Sequence, residues 1–429
     1  MLNFGLNQKN ITTKKFLIYG FGLTGKSVLN FFKKKKIKNF TIVDDKIKRF
    51  KIDPKTLLNK IRETDYIIMS PGVSILNSKI NRYFKKSEKK IISDLDLFSI
   101  FHPKNELLMI TGTNGKSTTC KMLEHILKYS NRKIHLGGNI GMPILNINPR
   151  KNSKIIVEAS SFQLSYSKII KPKYAAILNI SNDHEDWHKN YTNYKFAKLK
   201  IFSNQDKKDF AYLQNNDLIR KFREKNFKSK LVKIRYKSEK FFSKKISNNY
   251  FKYLPNLKNF IFAYFFLKAL KVKDKSIFNS LKKFKGLTHR YEIFLKKRNS
   301  IFINDSKATS FDATKHALKS NKNIFWIVGG IPKKNDKIII KKFKYNITEA
   351  FIIGKNIEHF KKNFKGVIKF TISKNLKQAI KDIFQKIKLN RDNTILLSPA
   401  SASFDQFNNF EERGRIFKKY VSIYAKKYL

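Results

Sequence analysis

Cysteine is almost absent: Cys120 is the one thiol in 429 residues, which excludes a disulfide framework and a thiolate zinc site. Glycine (16) and proline (9) are scarce, so collagen-like and linker-dominated architectures are excluded. No run of ~18 uncharged apolar residues occurs, the longest candidate being NFIFAYFFL at 259–267, and membrane insertion is not expected. The start, MLNFGLNQKNITTKK, has no apolar stretch followed by a small-residue cleavage site, so a cytoplasmic protein is expected. Acidic residues are few, 31 Asp+Glu against 92 Lys+Arg, for a formal net charge of +61. That excess by itself suggests a nucleic-acid or anionic-membrane partner. Only 13 of the 92 are Arg, however, and the lysines run along the whole chain beside abundant Ile, Asn, Phe and Tyr. Nucleic-acid recognition favours Arg forks. The lysine excess reads as compositional drift, and no nucleic-acid partner is expected.

What is present is apolar enough to fold, with 41% hydrophobic and 14% aromatic residues. The length suggests two or three domains. Short β-rich runs recur, each before a turn and a second segment: FLIYG before GLTGKSVLNFF, LLMITG before NGKSTTCKMLEHILKYS, IFWIVGG before a Lys-rich stretch, and AFIIG before KNIEHFKKNF. Such alternation means parallel sheets with crossover helices. The pattern breaks near FHPKNE (101–106) and KFKGLTHR (283–290), dividing the chain into three α/β domains at 1–103, 104–285 and 286–429.

Glycines sit in clusters, where φ > 0 or close approach to a ligand requires them. ELLMITGTNGKSTTCKMLEHIL reads as a buried strand, a turn and a helix. Loop N–H groups and the helix N-terminus would cradle phosphates, with Lys116 on the β/γ-phosphates and Ser117 on Mg²⁺. The general pattern has another glycine where this chain has Ile110, so the loop is a variant. FLIYGFGLTGKS places Gly20, Gly22 and Gly25 in a G-x-G-x-x-G arrangement, with Asp44 and Asp45 some twenty residues on. That turn admits three readings: a nicotinamide dinucleotide, another phosphate-bearing ligand, or a structural turn.

The order of motifs is more specific. TGTNGKSTT, GGNIG (137–141), VEASSFQL (157–164), NISNDHEDWH (179–188), AKLKIF (197–202), GLTHRYE (286–292), NDSKATS (304–310) and LSPASASFDQFNNFEERG (397–414) follow one another across essentially the whole chain. This succession resembles the Mur ligases of peptidoglycan synthesis, and VEASSFQL with the last stretch is similar to the branch that adds D-glutamate. The resemblance implies an N-terminal Rossmann-like domain for the UDP substrate, a central phosphate-loop ATPase with a mostly parallel sheet, and a C-terminal Rossmann-like α/β domain for the amino acid. The implied partners are ATP, UDP-N-acetylmuramoyl-L-alanine and D-glutamate, joined by an acyl phosphate in a monomer. The sibling readings are another Mur ligase or a folylpolyglutamate synthase-like ligase. A basic nucleic-acid-binding ATPase is the third.

The resemblance assigns residues to roles. ATP would meet Gly112, Thr113, Asn114, Gly115, Lys116, Ser117 and Thr118, with Asn256, Asn259, Arg290 and Asp305 on adenine and ribose. Pro255 stands where the family has a histidine, and Arg290 alternatively forms an interdomain ion pair. Two Mg²⁺ are implied, on Ser117, Glu158, His184 and Lys198, the last as a CO₂-derived carbamate. In isolation the His184 loop reads equally as a metal site or as solvated polar residues. Leu23, Thr24, Asp44 and Asp45 would hold uracil and ribose, Ser70, Pro71 and Gly72 the diphosphate turn, and Asn139 and His184 the muramoyl end. Lys307, Thr309, Lys333, Ser403 and Phe410 would hold D-glutamate, with solvated lysine and loop turn as the alternatives for Lys333 and Ser403. The catalytic set is Lys116, Glu158, His184, Lys198 and Lys307.

Overall fold

The structure is a computed structural model that describes residues 5–77, 81–235, 238–333 and 336–429. It forms two compact units, Met1–Lys252 with Asn256–Phe284, and Tyr253–Pro255 with Lys285–Leu429.

The first unit holds two sheets. Its N-terminal part runs β1 (Phe16–Tyr19), α1 (Leu23–Lys34), β2 (Phe40–Val43), α2 (Pro54–Glu63) and β3 (Tyr66–Met69). It continues through α3 (Asn81–Lys86), β4 (Ile91–Ile92) and α4 (Asp94–Phe101). The four strands pair in parallel in the order β2-β1-β3-β4. β1 and β3 are buried along their whole length, which is why FLIY and YIIM are unbroken apolar runs rather than alternating ones.

The second sheet begins with β5 (Glu106–Thr111), α5 (Lys116–Tyr129), β6 (Ile134–Gly138), β7 (Lys154–Glu158) and α6 (Ser161–Tyr166). After it come β8 (Tyr174–Ile177), α7 (Glu185–His188), α8 (Tyr191–Leu199), β9 (Phe210–Leu213), α9 (Asn216–Glu224) and β10 (Lys230–Lys233). Helices α10 (Ser238–Lys245), α11 (Leu254–Ala269) and α12 (Asp274–Lys282) follow. The strand order is β10-β9-β8-β5-β7-β6, all parallel, so β5 is central and its C-terminal end lies between those of β7 and β8. One apolar cluster serves both sheets, with Phe16, Ile18, Phe32 and Phe98 from the first and Met109, Val157, Ile177 and Phe202 from the second.

The second unit contains β11 (Glu292–Lys297), β12 (Ser300–Asn304), α13 (Phe311–Ser320), β13 (Ile324–Gly329), β14 (Ile347–Ile353) and α14 (Ile357–Phe364). It ends with β15 (Phe370–Lys374), α15 (Leu376–Lys386), β16 (Asn393–Leu397) and α16 (Phe410–Tyr428). Its order is β11-β12-β16-β13-β14-β15, parallel except for the β11–β12 hairpin. Three mostly parallel α/β sheets are thus present, within two compact units. The Lys-rich stretch after IFWIVGG departs from the crossover pattern: among its described residues it holds no α-helix, only a 3₁₀ helix at Ile340–Asn346. The run Ile338, Ile339, Ile340 has no three-and-four spacing with which to bury a helical face.

Candidate active site

The C-terminal end of β5 leads into Gly112-Thr113-Asn114-Gly115 and then into α5. Gly115 caps the helix at φ +86°, a left-handed conformation that costs other residues ~1–2 kcal/mol. A Cβ there would lie 2.1 Å from Asn259 Oδ1, so α11 closes over the loop at a residue without a side chain. The loop is clamped from the far side by the segment after β8. Thr113 N–H donates to Asn179 O at 3.0 Å, Asn114 N–H to Asn179 Oδ1 at 2.8 Å, and Asn179 Nδ2 back to Asn114 O at 3.0 Å. Lys116 folds over the turn, its Nζ donating to Gly112 O (2.8 Å) and Thr113 O (2.9 Å). Ser117 and Thr118 are buried at the start of α5.

Glu158 ends β7, in register with Ile110 of β5, so the pairing brings it level with the start of the loop. It is 2% exposed. Asn139 grips it twice, N–H to Glu158 O at 2.8 Å and Nδ2 to Oε1 at 2.8 Å. Oε2 is buried without a hydrogen-bond partner. Lys198, near the end of α8, is 1% exposed; its Nζ donates to Gly112 O (2.9 Å) and lies 4.6 Å from the Tyr194 ring centroid. Burial, followed by the Lys116 charge, pushes its basicity well below that of an ordinary lysine, against the opposing pull of Asp183 and Glu158. Lys116, Glu158 and Lys198 therefore meet at one place.

His184 has a left-handed backbone at φ 55°, and its Nε2 is 3.5 Å from Asp183 Oδ2. Its ring packs edge-on against Phe162, with centroids 4.7 Å apart. His188 is buried with Nε2 3.0 Å from Ser161 Oγ, and burial, with the His184 and Lys198 charges, lowers its pKa to about 3. It is a neutral strut beneath the loop.

Among the described residues no three His, Cys, Asp or Glu side chains gather into a ready cage for a metal. A different arrangement suits Mg²⁺, which takes one or two carboxylates together with substrate phosphates. The unpartnered, buried Glu158 Oε2 beside the phosphate loop, with Ser117 at the helix start, fits that requirement. Lys198 as an ammonium does not, since a buried cation repels a second one.

In the first sheet, Leu23 is 80% exposed at the start of α1. Thr24 follows it on the same turn. The Asp44 carboxylate is held by its own surroundings, accepting from the N–H groups of Phe21 (2.6 Å), Lys46 (2.8 Å) and Ile47 (3.0 Å), and Asp45 accepts from Tyr19 OH at 2.9 Å. Ser70 Oγ donates to Gly20 O at 2.6 Å. Gly72 follows Pro71, whose carbonyl accepts from Trp187 Nε1 at 3.1 Å. Asn256 is buried in α11, its Nδ2 donating to Tyr250 O at 3.1 Å.

The second unit assembles its own cluster. Asp305, just after β12, accepts from Tyr291 N–H (3.0 Å) and Ser398 Oγ (2.8 Å), and burial pushes its carboxyl up to about 7. Arg290 lies in the turn before β11, its N–H on Leu287 O. Lys307 Nζ sits 3.7 Å from the centroid of the Phe410 ring, a cation–π contact at the start of α16. Thr309 is half-buried just before α13. Ser403 is 2% exposed, its carbonyl accepting from Gln406 and Phe407 N–H. Lys333 accepts at its carbonyl from Asp336 N–H, and Asp336 in turn takes the N–H of Phe311. Arg413, 1% exposed, ties these segments together: Nε donates to Ser306 Oγ (3.0 Å) and Nη2 to Ser306 O (2.8 Å) and Ser401 O (3.0 Å).

Sequence reasoning missed Asn179, Tyr194, Ser398 and Arg413. Asn179, Ser398 and Arg413 lie inside the quoted NISNDHEDWH and LSPASASFDQFNNFEERG stretches, but their roles depend on which strands and loops are neighbours. No local pattern carries that.

A phosphate loop on a central parallel strand, with a free buried carboxylate oxygen and a buried lysine beside it, defines a nucleoside-triphosphate-using enzyme. The sequence profile of the Mur ligase middle domain matches residues 110–273. UDP-N-acetylmuramoylalanine–D-glutamate ligases of Francisella tularensis subsp. holarctica and subsp. novicida are each 34% identical to this chain, over 98% of its length and 99% of theirs. The chain therefore belongs to the UDP-N-acetylmuramoylalanine–D-glutamate ligase family of the Mur ligases. Among solved structures, UDP-N-acetylmuramate–alanine ligase MurC of Thermotoga maritima has the same fold at 17% identity and TM-score 0.53, covering 96% of this chain and 100% of its own. MurF of Acinetobacter baumannii does so at 14% and 0.56, covering 79% and 80%.

Proposed function

We propose that this protein is the ATP-dependent ligase that joins D-glutamate to UDP-N-acetylmuramoyl-L-alanine in the cytoplasmic assembly of peptidoglycan precursors. The observation that carries the reading is the convergence of Lys116, the free oxygen of Glu158 and buried Lys198 on the loop after β5. A carboxylate is a poor electrophile. Its oxygen first attacks the γ-phosphorus of ATP, releasing ADP and leaving an acyl phosphate. The neutral amine of D-glutamate then attacks the acyl carbon, loses a proton and expels phosphate.

Each residue serves that sequence. Lys116 exchanges its two carbonyl partners for phosphate oxygens, holding charge where it builds. The backbone of 112–118 and the N-terminus of α5 hold the triphosphate, and Asn259 bears on the loop at Gly115. Ser117 and Glu158 would hold the Mg²⁺ that, when bound, neutralises the phosphates. Lys198, as a carbamate formed from its neutral amine and CO₂ with loss of a proton, together with His184, would hold a second. Asn256, Arg290 and Asp305 bear on adenine and ribose. Leu23, Thr24, Asp44, Ser70 and Gly72 receive the uridine diphosphate, with Asn139 and His184 toward the acyl end. Lys307, Thr309, Lys333, Ser403 and Phe410 receive the two carboxylates of D-glutamate. On this reading residues 1–103 serve the sugar nucleotide, 104–285 the ATP and 286–429 the amino acid. Phosphate release by the purified protein is the test: it is expected only with ATP, UDP-N-acetylmuramoyl-L-alanine and D-glutamate together. Equal release with L-alanine or diaminopimelate in place of D-glutamate would reassign the substrate, and dependence on DNA or RNA would end the reading.

A further inference from the structure

The proposed chemistry leaves a buried acidic cluster unused. Helix α4 opens with Ser93, Asp94 and Asp96, which are 1%, 2% and 0% exposed. They grip both ends of α6. Asp96 accepts from the N–H groups of Lys168, Ile169 and Ile170 at 2.8 to 3.1 Å, and Ser93 Oγ lies 2.7 Å from Ser167 Oγ, beyond the C-terminal end of α6. At the other end both oxygens of Asp94 accept from Gln163 Nε2 at 3.2 Å. Burying a carboxylate against a neutral amide is unfavourable for stability alone, and burial pushes Asp94 up to about 6.

The charge does have a geometric effect. A carboxylate only accepts, so it admits the Gln163 amide in one orientation, with Nε2 toward Asp94 and Oε1 away. That orientation aims Oε1 at Ser160, where it accepts from N–H at 3.2 Å and Oγ at 3.1 Å, while Ser160 Oγ accepts from Gln163 N–H at 3.1 Å. Ser160 lies two residues past Glu158. Between them Ala159 N–H donates to Ile110 O, fixing the turn to the strand that carries the phosphate loop. α6 also presents Phe162 to His184.

We infer that Asp94 is a positioning residue for Glu158: through Gln163 and Ser160 it sets the turn that leaves Glu158 Oε2 open to a divalent cation on the nucleotide. The inference rests on the proposed function for what that cation serves. Wild type, Asp94→Asn and Asp94→Ala are to be compared for Mn²⁺ affinity in the presence of ADP, by calorimetry and without turnover. The Mg²⁺ concentration for half-maximal rate, the KM for D-glutamate and the melting midpoint complete the comparison. Mn²⁺ affinity is expected to weaken about 10-fold in Asp94→Ala, and by less in Asp94→Asn, whose amide oxygen still accepts from Gln163. The Mg²⁺ requirement should rise in parallel while the KM for D-glutamate stays put. Mn²⁺ affinity unchanged in both variants overturns the inference, as does a loss that appears only in step with a lowered melting midpoint. Should wild type release no phosphate with the three substrates while the Mn²⁺ shift is present, the proposed reaction fails and the positioning stands.

Discussion

Replacing Gly115 with alanine puts the geometry of the phosphate loop to a quantitative test. The residue sits at φ +86°, so a side chain there costs ~1–2 kcal/mol whatever surrounds it. The new Cβ would also meet Asn259 Oδ1 at 2.1 Å, Cγ at 2.9 Å and Nδ2 at 3.0 Å. All three belong to one side chain, which is 8% exposed and must rotate away at a further ~0.5–1.5 kcal/mol. Together these give about 1.5 to 3.5 kcal/mol. If the loop carries the strain on binding, the KM for ATP rises roughly 10- to 400-fold, with little change for D-glutamate. A double-mutant cycle with Asn259→Ala separates the two parts: removing the amide relieves the steric share and leaves the backbone share, so a coupling of about 1 kcal/mol is expected. Wild-type ATP kinetics in Gly115→Ala would refute the argument outright. Zero coupling would refute the part assigned to Asn259.

Two further outcomes follow from the buried charges. Asp94 is raised from an ordinary 3.8 to about 6 by burial, with Asp96, also raised, beside it, while nearby Lys200 is lowered by burial and by the Lys168 charge against the opposing pull of Glu88 and Asp96. The folded state therefore holds a proton that the unfolded state releases between pH 3.8 and 6, so stability is gained as pH falls from 6 toward 3.8 and lost as pH rises, by about 3 kcal/mol over the whole window and by about 1.4 kcal/mol between pH 8 and 5, at 1.36 kcal/mol per pKa unit. Melting curves at pH 5 and 8 should show Asp94→Asn at least as stable as wild type at pH 8 and without its advantage at pH 5; a variant markedly less stable at pH 8 contradicts the sign. Lys198→Ala should lose nearly all turnover and recover part of it with added formate or acetate, measured as phosphate release, and full activity without rescue would rule out a carbamate there.

Much of this was legible in the residues, for identifiable reasons. The loop after LLMIT combines a buried strand, two glycines and a lysine at a helix start, all within ten residues, and the structure keeps that order. Glu158 could be placed at a strand end because IIVE is an unbroken apolar run ending in a charge. Asn179 could not be placed, since its clamp on Asn114, 65 positions away in the chain, exists only because β8 pairs with β5. The Asp94–Gln163 pair spans 69 positions and joins two sheets. SDLDLF reads locally as an ordinary helix cap, which it also is. The expected segment after IFWIVGG became a 3₁₀ turn because its apolar residues are adjacent rather than spaced for a helix.

The apolar cluster that serves the first two sheets has a consequence for how this part of the molecule comes apart. Phe98 and Leu97 of α4 share it with Leu145, Leu164 and Phe202, so the break near residue 103 is a seam in the chain and not in the core. Two sheets with one interior are expected to belong to one cooperative unfolding unit. By thermodynamic linkage, a molecule caught at the glycine turn after β1 then raises the unfolding temperature of the phosphate-loop sheet as well as its own.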